Sequence, residues 1–76
     1  MKKIEFGTNL YWSLEIYVPI NLLGELKGAL SLAFPAIYFA EGLTCVLVDK
    51  SPLLEDSDIA ILKAFAIEWV NKATEK

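Results

Sequence analysis

The chain has 76 residues and a formal net charge of -3; 55% of its residues are apolar and 22% charged. Such a composition excludes disorder, which needs low hydrophobicity and high net charge. The length leaves room for one domain, and residues 1–76 read as a single α+β unit.

Lys3 to Phe6 alternates polar and apolar residues and predicts a first strand. Gly7-Thr8-Asn9 reads as a turn, giving a hairpin with a three-residue loop. Leu10 to Val18 carries the clearest signal in the chain. Leu10, Trp12, Leu14, Ile16 and Val18 fall on one side of a strand, and Tyr11, Ser13, Glu15 and Tyr17 on the other. Pro19 stops that strand. Asn21 is then the expected cap of a helix carrying Leu23, Leu26, Leu30 and Ala33 at helical spacing. Gly24 and Gly28 weaken this helix, and close packing on the sheet is their expected reason. Pro35 marks the helix end.

Ala36 to Ala40 and Leu43 to Asp49 predict two further strands, joined at Glu41-Gly42, where Gly42 can supply a positive φ. The second of these is apolar on both faces, so cover on both sides is expected. Glu55-Asp56-Ser57-Asp58 is rich in capping residues and acids and opens a helix running from about Ser57 to Ala73. Ile59, Leu62, Ala66, Trp69 and Ala73 form its stripe, flanked by Phe65 and Val70. Glu68 and Lys72 stand four residues apart in the favourable orientation for an ion pair. Residues 74–76 are expected to fray. The resulting order is β-β-α-β-β-α, a four-stranded, mainly antiparallel sheet with two helices on one face.

Stability narrows the options further. At this size the gain from burial and the cost of ordering the chain nearly cancel. One Cys allows no internal disulfide, and the absence of His removes the common zinc sets. A second copy of the chain or another protein is the remaining common stabiliser. All seven basic residues are Lys, with no patch and no Arg forks, which argues against nucleic acid. The longest uncharged run, Gly28 to Ala40, is shorter than the ~20 residues that span a bilayer. The single Cys fits a reducing compartment, and a cytoplasmic protein is expected, with no membrane partner.

The side chains that could carry chemistry have simpler readings. Asp49, Glu55, Asp56 and Asp58 match two positions of a calcium loop at most, and acids are favoured at a helix start. Cys45 lacks a base and sits among apolar neighbours, as a buried structural thiol does. Glu15 and Glu41 have no reason in sequence to meet as an acid–base pair. Gly24 and Gly28 have the spacing of a membrane-helix dimer, but Glu25 and Lys27 interrupt it. No catalytic, metal-binding or cofactor-binding residue is expected.

Tyr11, Ser13, Glu15 and Tyr17, joined by Tyr38 if it shares their side, form the strongest candidate site. Tyr brings large contact area at low entropy cost together with a polar tip. The expected function is a small acidic protein–protein interaction module, a regulator, inhibitor or accessory subunit that self-associates as a homodimer. The alternative is a small-molecule binder or enzyme subunit, with Trp12, Phe39, Phe65 and Trp69 lining an apolar pocket between sheet and helix.

Overall fold

The computed structural model describes residues 4–74. Lys3, which the alternation assigns to the first strand, and Glu75 and Lys76, expected to fray, lie outside them. The elements are β1 (Glu5–Gly7), β2 (Trp12–Tyr17), α1 (Ile20–Ala33), β3 (Phe39–Glu41), β4 (Cys45–Asp49) and α2 (Asp56–Ala73). They form one sheet in the order β1-β2-β4-β3, antiparallel throughout. The expected α+β order β-β-α-β-β-α holds. The two longest strands occupy the centre, and each edge strand has three residues.

Register decides which side chains are buried. Ile16 lies opposite Val46 and Leu14 opposite Val48, while Phe39 meets Val48 from the other side. These residues share one sheet face, and α1 closes on it with Leu23, Leu26 and Leu30. From α2 come Leu62, Ala66 and Val70, each fully buried. Ile4, Phe6, Phe65 and Trp69 pack around this cluster, and the Phe34 and Phe65 rings meet edge to face at 5.5 Å. Both helices thus cover the same face of the sheet.

Several local expectations are corrected. Gly7 belongs to β1, so the first connection is residues 8–11 rather than a Gly7–Asn9 turn. Asn21 lies inside α1. The helix starts beyond Pro19, whose carbonyl accepts the Leu22 N–H at 2.9 Å, and no side chain caps it. Pro at this boundary works because its fixed φ suits the chain's entry into the helix. Ala36 to Tyr38 stay outside β3, and a turn closes over residues 34–37, with the Ile37 N–H on the Phe34 carbonyl. Leu43 and Thr44 form the tip of the β3–β4 hairpin, and Leu43 is exposed.

Three glycines also differ from expectation. No glycine among the described residues has a positive φ. Gly42 is required for space instead, because a Cβ there would lie 3.0 Å from Cys45 Sγ and 3.3 Å from the Cys45 carbonyl oxygen. Gly24 and Gly28 do not serve close packing on the sheet. Both are exposed, and a Cβ on Gly28 would meet nothing within 4 Å. α2 follows expectation more closely. It begins one residue early, and the Glu55 N–H donates to Asp58 Oδ2 at 3.0 Å as half of a capping box. Lys72 pairs with Glu68 at 3.8 Å on the solvent side. Thr74 caps the helix end, its hydroxyl on the Val70 carbonyl at 2.9 Å.

Candidate protein-binding face

The sheet face turned away from the helices is the candidate site. Its composition follows from one irregularity in β2. Trp12 pairs with Asp49, but Leu14 pairs with Val48, so Ser13 is one residue too many for its partner strand. The Ser13 hydroxyl donates to the Asp49 carbonyl at 2.9 Å across this bulge. A bulge resets the alternation of its strand. The unbroken alternation predicts Leu10 and Trp12 on the core side with Leu14. Past the bulge, Trp12 instead shares the register of Asp49, and it stands apart from the core cluster. Leu10 is 81% exposed.

Three rows result. The first holds Trp12, Asp49 and Tyr38, since the Tyr38 carbonyl accepts the Asp49 N–H at 2.9 Å and extends the ladder beyond β3. The second holds Gly7, Glu15, Leu47 and Ala40. The third holds Glu5, Tyr17 and Cys45. Of the residues expected at the site, Glu15, Tyr17 and Tyr38 therefore come together on one face. Ser13 occupies the bulge. Tyr11 lies in the loop before β2, 77% exposed, at the border of the face. Trp12, Leu47 and Asp49 are additional members. No signal in the sequence marks the reversal at Trp12, because the alternation runs from Leu10 to Val18 without a break.

A hydrogen-bond network links the residues of the border. Glu15 accepts from Asn9 Nδ2 at 2.9 Å and from the Tyr17 hydroxyl at 2.8 Å. Asn9 Oδ1 in turn accepts the Tyr11 N–H at 2.8 Å, and Lys50 Nζ donates to the Leu10 carbonyl at 3.0 Å. Gly7 makes room for this network, because a Cβ there would come within 2.7 Å of Glu15 Oε1. The Asn9 amide and then the Tyr17 hydroxyl stabilise the charged form of Glu15 and lower its pKa. The same bond to Glu15 raises the pKa of Tyr17. Cys45 is buried beneath Gly42 beside Leu47, and burial, then the Glu15 charge, push its thiol up. Such a thiol is a poor nucleophile.

The other candidate chemistry disperses. Glu41 takes the register of Val46 on the helix-facing side, with its carboxylate near Gly24, so it does not approach Glu15. Among the described residues no group of three His, Cys, Asp or Glu could hold a metal ion. The four aromatics of the alternative pocket do not share one side of the sheet. Phe39 is sealed in the core, Phe65 and Trp69 pack against that core, and Trp12 is on the opposite side of the sheet. Where the first row ends, a cleft of about 330 Å³ opens, lined by Tyr38, Asp49, Ser51, Leu53, Leu54 and Asp58 among others. No described helix is long and apolar enough to cross a membrane. No protein-family model, curated protein or solved structure matches the chain.

Proposed function

We propose that this chain is a small protein–protein interaction module that docks, and self-associates as a homodimer, through the helix-free face of its sheet. It would act as a regulator, inhibitor or accessory subunit in the cytoplasm. One observation carries the reading: both helices cover one side, and the other side presents Trp12, Tyr17, Tyr38 and Leu47 with no described element over them. Aromatic residues dominate the energetic centres of protein interfaces. The Asn9–Glu15–Tyr17 network joins the loop before β2 to the face, and such links favour docking by lowering the entropy left to lose.

The test is solution mass by light scattering across a concentration series, with capture from the native host alongside. Wild type is expected to form dimers or to retain a defined partner. The triple variant Tyr11→Ala, Trp12→Ala, Tyr17→Ala is expected to lose that association with an unchanged circular dichroism spectrum. A wild-type monomer with no retained partner, or a folded triple variant that associates as wild type does, overturns the reading.

A further inference from the structure

We infer that the cleft at the end of the open face receives a lysine or arginine side chain from the partner protein. The inference rests on the docking reading above and specifies what the partner brings.

The size of the cleft comes first. About 330 Å³ is at the lower limit of small-ligand sites, room for one extended side chain rather than a large cofactor. Its walls have two characters. Ile37, Leu53 and Leu54 offer an apolar surface suited to an alkyl stem. Tyr38, Asp49, Ser51 and Asp58 supply a ring, a hydroxyl and two carboxylates, which suit a cationic head.

Among the described residues no cation occupies this position. Lys50, next in sequence to Asp49, is engaged with the Leu10 carbonyl at 3.0 Å. Among the described residues neither Asp49 nor Asp58 makes an ion pair, and the Asp49 carboxylate accepts no hydrogen bond. Asp58 is already engaged with the Glu55 N–H at the positive end of α2. Asp49 is therefore the principal uncompensated charge. Among the described residues no group of three His, Cys, Asp or Glu could hold a metal ion here.

Position links the cleft to the face. Tyr38 and Asp49 line the cleft and also stand in the row that begins with Trp12. A partner lying across Trp12 reaches the cleft with the next side chain along. The net charge of -3 draws basic segments toward the molecule.

The test uses small probes followed by amide shifts in NMR. Nα-acetyl-arginine methylamide and Nα-acetyl-lysine methylamide are titrated into the intact chain, with Nα-acetyl-norleucine methylamide as the uncharged control. The cationic probes are expected to give saturable shifts centred on residues 37–38 and 49–54, weakened by salt. Asp49→Asn is expected to reduce their affinity about fivefold, and Tyr38→Leu to weaken it further. Equal binding of the norleucine probe, unchanged affinity in folded Asp49→Asn, or no saturable shift at the cleft overturns the inference. The two readings fail separately. Association lost in the Trp12 triple variant but indifferent to the cationic probes removes the cleft and leaves the docking face. Cationic probes that bind the cleft of a chain that associates with nothing remove the face and leave the cleft.

Discussion

Glu15 shows how a surface carboxylate acquires a structural task. Its charge is held by two donors, Asn9 and Tyr17, and through Asn9 it fixes the loop that carries Tyr11. Its pKa is lower in the folded chain than in the unfolded one. The stabilisation it contributes is present above the unfolded carboxylate pKa and is lost as pH falls through the lower, folded value. Between about pH 5 and about pH 3, wild type should lose stability relative to Glu15→Gln, read as a narrowing gap in melting temperature. Gly42→Ala would press a methyl onto Cys45 Sγ and the Cys45 carbonyl. A loss of about 1 kcal/mol is expected in urea melts, since the backbone atom cannot move aside as a side-chain tip can. Little of this was legible beforehand. Asn9 reads as a turn residue, but its bond to Glu15 exists only once Gly7 and Glu15 stand opposite one another, and sequence spacing does not set that register.

At the level of elements, legibility followed hydrophobic period. Leu23, Leu26 and Leu30 in α1, and Leu62 and Ala66 in α2, stand at helical spacing and form the core because one stripe per helix faces the sheet. Period fails where geometry changes within an element. The bulge at Ser13 moves Trp12 across the sheet although the residue pattern continues without a break. The α1 glycines fail for another reason: a glycine serving close packing and a glycine facing water look alike in sequence. The structure separates them by the space around each. Gly28→Ala adds a methyl into open space and restricts the unfolded chain, so it should stabilise by about 0.5–1 kcal/mol in thermal or urea unfolding. Leu30→Ala, on the same helix but fully buried, should destabilise by about 2–5 kcal/mol.

For the whole molecule, the radius of gyration of 11.5 Å agrees with the roughly 11 Å expected of a compact chain this long. The exposed apolar groups are therefore not a symptom of loose packing. Leu10, Tyr11, Tyr38 and Leu53 are each more than half exposed. Leu10, Tyr38 and Leu53 gather at the end of the sheet where Lys50 meets the Leu10 carbonyl and the cleft opens. The composition signalled this excess, and the fold class followed from element order; exposed apolar side chains also stand on α1 at Ile20 and Leu32, at the hairpin tip at Leu43, and on α2 at Ile61 and Ile67. Tryptophan fluorescence offers a direct reading of the face. On association, emission from Trp12 should shift to shorter wavelength, and Trp12→Phe should abolish that shift while the core-packed Trp69 stays unchanged.

The outermost strands have a further consequence. β1 and β3 offer three residues each, so neither presents a long row of free backbone groups to a passing chain. Templated growth into cross-β fibres is poorly supported at such blunt margins. Concentrated samples should accordingly stop at discrete particles and leave thioflavin dyes dark.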